Sequence, residues 1–234
     1  MTSFRSALAT TAIATLAMTG MAHAALVPSG SVGGAPTGVI LDNLDWLTPG
    51  SSAGGTSLSS GITVNFTGGA KAVQGSASDL YAAPWVSGLN GVGFGNVANA
   101  ADTTPYATTA STGSAVEILL PNNGGLGYDY FGLLWGSVDS YNTLSFYNGA
   151  NLVGSLTGSN VTASPNGNQG VNGTLYVNIS SDLAFNRIVA RSSSYAFEFD
   201  NIAFNRTSVP EPGSLALLGL GLAGLGFARP RRKA

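Results

Sequence analysis

Apolar and polar positions alternate with a period of two through much of the chain, the pattern of half-buried strands rather than helices. Ile62, Val64 and Phe66 alternate with Thr63 and Asn65. Val116–Leu120 predicts a further strand, stopped by Pro121-Asn122-Asn123-Gly124-Gly125. Tyr130–Trp135 reads as a buried strand, because Phe131, Leu133 and Leu134 leave little polar face. Leu144–Tyr147 and Asn151–Leu156 flank Asn148-Gly149, which predicts a β-hairpin with Asn-Gly as its turn. Leu175, Val177 and Ile179 alternate again, and Phe185–Ala190 follows. Tyr195, Phe197 and Phe199 form one apolar face of the last strand, yet Ile202 and Phe204 continue on even numbers. That change of parity predicts a bulge or bend at Asp200-Asn201. No 3.6-residue period appears between the chain ends. Many short strands separated by Gly, Asn and Ser turns predict an all-β fold, an antiparallel sandwich of jelly-roll type.

The two ends break this pattern. In Met1–Ala24, Arg5 is the only charged residue, an apolar run spans Ala7 to Met21, and Ala22-His23-Ala24 closes it. A basic start, a short apolar stretch and a small-x-small site predict a secretory signal peptide, cut by signal peptidase before Ala25. At the other end, Val209-Pro210-Glu211-Pro212 precedes the uncharged run Leu215–Ala228 and the basic tip Arg229, Arg231, Arg232 and Lys233. Fixed proline φ angles predict an accessible, non-helical Val-Pro-Glu-Pro piece. The apolar run reads as a short transmembrane helix. It would reach only roughly 21 Å against a hydrocarbon core of about 30 Å. Its basic tip would stay cytoplasmic. Residues 25–208 then form one ectodomain between the signal peptide, 1–24, and the tail, 209–234.

Pro210-Glu211-Pro212, the Gly/Leu run and the Arg/Lys cluster, in that order, resemble the sorting signal of PEP-CTERM proteins, which exosortases process. Pro230 interrupts the basic cluster without removing charge. The resemblance implies that a membrane-embedded exosortase cuts near Pro210–Pro212, after transient anchoring in the inner membrane. The protein then passes to the cell surface or extracellular matrix, and the logic parallels a lipid-anchor signal absent from the mature chain. A tail kept as an ordinary anchor is the competing reading. Tyr130–Tyr147 together with Phe197–Ala203 is similar to the ectodomain of one PEP-CTERM subfamily, which implies fold and sorting class but no ligand.

Composition narrows the ectodomain. Four basic residues against ten acidic ones between Ala25 and Ser208 leave a charge near −6, unsuited to nucleic acid. Cysteine is absent and the sole histidine, His23, falls in the signal peptide. A Cys–His or Ser–His mechanism and the usual zinc sites are therefore not expected. Glu117, Asp129, Asp139, Glu198 and Asp200 are conceivable glycosidase carboxylates, but no spacing singles out a pair. The expectation is a protein without catalysis that has a structural or interaction role in exopolysaccharide or biofilm, with a lectin-like carbohydrate-binding module as the alternative.

Between Leu80 and Ser114 the strand pattern thins out. Tyr81, Trp85 and Tyr106 there either form a glycan-stacking platform or pin the loop to the sandwich. Asp139, Tyr141 and Asn142 occupy a turn between apolar strands, where Asp and Asn either hold the backbone or offer oxygens to a cation. Asp200, with Asp42 or Asp45, is the stronger candidate for a Ca2+ site.

Overall fold

The computed structural model describes residues 25–206. The signal-peptide reading of residues 1–24 lies outside them, and so does the tail from Val209 with its apolar run and basic tip. Among the described residues no helix is long and apolar enough to cross a membrane.

The chain begins with β1 (Leu26–Ser31), β2 (Ile40–Asp42), β3 (Gly55–Thr56), β4 (Thr63–Thr67) and β5 (Lys71–Val73). Three short strands follow, β6 (Trp85–Val86), β7 (Ala100–Ala101) and β8 (Tyr106–Thr108). Then come β9 (Ala115–Leu119), β10 (Tyr128–Gly136), β11 (Asn142–Asn148) and β12 (Asn151–Thr157). A single helical turn, α1 (Gly158–Val161), precedes β13 (Leu175–Phe185), β14 (Arg187–Ser192) and β15 (Glu198–Asn205).

These strands build two antiparallel sheets. The first runs β1-β13-β10-β15-β8-β5, with β2 also paired to β15. The second runs β12-β11-β14-β9-β4-β3, and β6 and β7 form a separate pair. The inner faces of the two sheets share one apolar core. Phe131, Trp135, Val177 and Phe199 come from the first sheet, and Val64, Ile118, Phe146 and Ile188 from the second. Ring contacts tie it together: Phe131 meets Phe146 edge-on at 5.9 Å, and Trp135 stacks on Phe197 at 4.4 Å.

The alternation explains most of this, and its irregularities explain the rest. Asn186 alone separates β13 from β14, which lie in different sheets. It holds the corner with its N–H on the Tyr147 carbonyl, its carbonyl on the Leu120 N–H and its Oδ1 on the Gly149 N–H. The β11–β12 hairpin turns through Gly149-Ala150, one residue beyond the expected Asn148-Gly149, because Asn148 pairs with Asn151. Gly149 takes a φ of +59°, which favours glycine there.

The parity change in β15 is a bulge. Gly132 pairs with Ala203 but Leu134 pairs with Asp200, so one extra residue is accommodated in β15. Asn201 absorbs it with a φ of +50°. The bulge keeps Phe197, Phe199, Ile202 and Phe204 all in the core. Tyr195, expected on the same face, is instead 52% exposed, because the strand starts only at Glu198.

The outer face of the first sheet is covered too. Val86 and Phe94, from the stretch without strand pattern, pack on Tyr130, Leu134, Tyr176 and Ala203. Asp102, from the same covering stretch, meets β15 at Asp200, and Ala82, just before it, meets β15 at Glu198.

Candidate functional site

Along β15 the side chains alternate, so Glu198 and Asp200 point opposite to Phe197 and Phe199 and enter the covered outer layer. Both are buried, at 2% and 1% exposure. A buried carboxylate is costly unless it is hydrogen-bonded, protonated or coordinated. Each of these two has a different neighbourhood.

Glu198 lies at a cavity of about 560 Å3. Tyr81, Tyr141 and Tyr195 stand in its walls, with Asp79, Asp139, Asn166 and Gln169 as polar groups. The loop before β6 forms one wall. It is closed by the Ala77–Tyr81 backbone pair and fastened down by the Ala82 N–H, which donates to Glu198 Oε1 at 3.1 Å. The turn between β10 and β11 forms another wall, where Asp139 bridges to Asn166. The Tyr141 hydroxyl donates to the Tyr195 carbonyl at 2.9 Å, which joins two of the aromatic walls. Lys71 lies over the Tyr81 ring at 5.8 Å. Asp79 and Ser137, both in the lining, have φ angles of +61° and +45°. Left-handed backbone at residues other than glycine is uncommon and tends to gather at functional sites.

Burial raises the Glu198 pKa to about 7, against the opposing effect of the Ala82 N–H, and the Asp139 charge adds to the rise. Burial likewise raises the pKa of Asp139, which the Tyr141 hydroxyl partly offsets. Glu198 Oε2 is buried without a hydrogen-bond partner. The cavity therefore offers ring faces, amides and carboxyl groups, among which Glu198 is pushed up to about 7.

Asp200 sits deeper. Burial first, and then the charge of Asp102, pushes its pKa well up. Asp102 comes from the covering loop and is held by the Asn96 side chain at 3.0 Å and by the Thr104 N–H and hydroxyl at 2.8 and 2.7 Å, all on Oδ1. Asp45 stands at the rim of this group, exposed. Its pKa is raised by burial and by Asp102 and Asp42, against a lowering contact with Thr104.

The residues singled out from the sequence are scattered by the fold. Tyr81 lines the cavity, but Trp85 lies in the β6–β7 pair with its ring N–H on Asn99. Tyr106 is wholly enclosed, its hydroxyl on the Gly75 carbonyl, and has no face free for a glycan. It pins the loop. Asp42 does not join Asp200 as a cation ligand. Its oxygens accept from the Leu44 N–H, the Trp46 ring N–H and the Ser60 hydroxyl, which fixes the turn after β2. Asn142 is the first residue of β11, its amide donating to the Ala196 carbonyl. Asp102, Asn166 and Gln169 went unremarked because nothing local distinguishes them from other surface Asp, Asn and Gln. The pairing of Asp139 with Glu198 at one cavity was equally hidden, although both were named as isolated carboxylates.

A family model described as the PEP-CTERM protein-sorting motif matches residues 208–232. The tail is a PEP-CTERM protein-sorting motif. It begins just beyond the last described strand. The PEP-CTERM tail makes the chain an exosortase-targeted surface protein, exported and sorted to the cell surface by way of the membrane. No curated protein matches the chain.

Proposed function

We propose that this exosortase-targeted protein is a non-catalytic interaction module of the extracellular matrix, and that its sandwich binds exopolysaccharide in the cavity beside Glu198. The observation that carries the reading is the convergence of Tyr81, Tyr141 and Tyr195 with Asn166, Gln169 and Asp139 on one cavity of about 560 Å3. Sugar rings present C–H faces to aromatic rings and hydroxyls to amides and carboxylates, the combination found here. The acidic lining and the charge near −6 favour a neutral polysaccharide over a polyanionic one. In the same reading the sandwich is jelly-roll-like. Its support is that successive strands from β8 to β15 change sheet at every step except the β11–β12 hairpin. The tail is cut after transient inner-membrane anchoring, and signal peptidase releases Ala25. The Ala25 nitrogen already faces Asp182 at 2.8 Å, so that cut would place the new amine against a carboxylate.

Affinity electrophoresis in neutral polysaccharide gels tests the cavity. Tyr195→Ala and Tyr81→Ala should each weaken retardation at least tenfold while the melting temperature stays put, and Trp85→Ala should leave it unchanged. Equal retardation of all three variants would sink the reading. Hydrolysis of a retained glycan, lost in Glu198→Gln, would replace it with a glycosidase that uses Asp139 and Glu198.

A further inference from the structure

The acidic group around Asp200 lies outside the lining of the glycan cavity. Two of its oxygens have no partner: Asp200 Oδ1, from the sheet below, and Asp102 Oδ2, from the covering loop. Both residues are at least nine-tenths buried, and the Asp102 carboxyl group is close enough to push the Asp200 pKa up. Among the described residues no basic group is placed to neutralise them. Lys71 sits over Tyr81, Arg187 on Glu117, and Arg206 on the Leu126 carbonyl, while Arg191 is exposed. Two facing carboxylates in an enclosed site repel strongly unless a proton or a cation lies between them.

We propose that Asp102 and Asp200 hold a divalent, oxygen-preferring cation of the Ca2+ kind, clamping the covering loop to β15. No three acidic side chains among the described residues form a ready ligand group, so neutral oxygens must complete the shell. The hydroxyl of Thr104, already on Asp102 Oδ1, is one such oxygen. Asp45, in reach of Thr104 and electrostatically coupled to both Asp102 and Asp200, supplies a third negative charge at the solvent side. Such a mixed set of carboxylates and neutral oxygens suits Ca2+ rather than zinc or copper. The cation ties together Asp102 and Asp200, almost a hundred residues apart in sequence, and so fixes the cover on the outer face. An affinity of the order of 0.1–1 mM, usual for extracellular modules, would leave the site empty in the cytoplasm and fill it after export.

The test uses the full chain in detergent, stripped with chelator and titrated with CaCl2, with Tb3+ luminescence as a second readout. Added Ca2+ should raise the melting temperature by about 5 °C at a hundredfold excess over Kd. Asp200→Asn and Asp102→Asn should abolish both the shift and the sensitised Tb3+ emission. Asp45→Asn, at the exposed rim, should fold normally and weaken binding several-fold, which keeps the proposal testable should the buried variants fail to fold. Tyr81→Ala should titrate like the wild type, which separates this site from the glycan cavity. If wild type shows no Ca2+ shift and Asp200→Asn melts higher at pH 7.5, the pair shares a proton and the cation proposal is overturned.

Discussion

The two faces of the β10–β15 sheet are both buried, yet they are built from opposite chemistry. Inward, Phe131, Trp135, Phe197 and Phe199 interlock with the second sheet and carry no carboxylate. Outward, the same strands present Glu198 and Asp200 beneath a loop that contributes Val86, Phe94 and Asp102. One face is closed by a sheet, whose backbone is satisfied by its own ladders. The other is closed by irregular chain, whose polar groups need side-chain partners. Carboxylates therefore collect where the cover is irregular. The lesson is that burial alone does not separate a core from a site. What separates them is whether the buried layer brings uncompensated carboxylates with it.

The largest effect is expected on the apolar face. Phe131→Ala should destabilise the protein by about 3–5 kcal/mol in urea unfolding, because the core between two sheets cannot collapse into the void. A cost under about 1 kcal/mol would mean that the inner face is not the main core. On the polar face the sign differs. The folded protein keeps a proton on Glu198 up to pH about 7, whereas the unfolded chain releases it near the ordinary value of 4.5. The contribution of Glu198 to stability is thus greatest below pH 4.5, declines between 4.5 and 7, and stays level above. Glu198→Gln should remove that decline, a loss of about 3 kcal/mol between pH 4.5 and 7, read from unfolding midpoints across pH 4–8. An unaltered slope would show that Glu198 is not buried as described. The smallest effect belongs to the open outer face of the second sheet. There Arg187 pairs with Glu117 at 3.0 Å and lies over Tyr147 at 4.0 Å, partly exposed. Arg187→Ala should cost only about 0.5–1 kcal/mol, and less in high salt.

Much of the fold was legible because its signals are local. The alternation of Ile62–Phe66 and of Leu175–Ile179 needs only neighbouring residues, and it places β4 and β13. Even the bulge at Asp200-Asn201 was readable, since moving the apolar set from odd to even numbers requires one extra residue. The site was less legible. The same alternation that buries Phe197 and Phe199 tells which way Glu198 and Asp200 point, but a strand pattern takes that opposite face to be wet. It is dry here because Ala82, 116 residues earlier, donates to Glu198, and Asp102 arrives over Asp200. Tyr106 shows the converse: an aromatic in a polar loop could have met a ligand or pinned the loop, and the fold chose the second by enclosing it completely.

The sequence by itself determined the all-β character, the phases of several strands including the break at Asp200-Asn201, and the destination written in Pro210-Glu211-Pro212 and the apolar and basic segments after it. Each of these rests on adjacent residues and on the composition of short stretches. Only the tertiary structure decided that Tyr81, Tyr141 and Tyr195 share a cavity with Asp139 and Glu198, that Asp42 serves a turn, and that Asp102 meets Asp200. Those meetings join segments far apart in the chain, through the path of a loop over a sheet face, and no local periodicity encodes which loop covers which face.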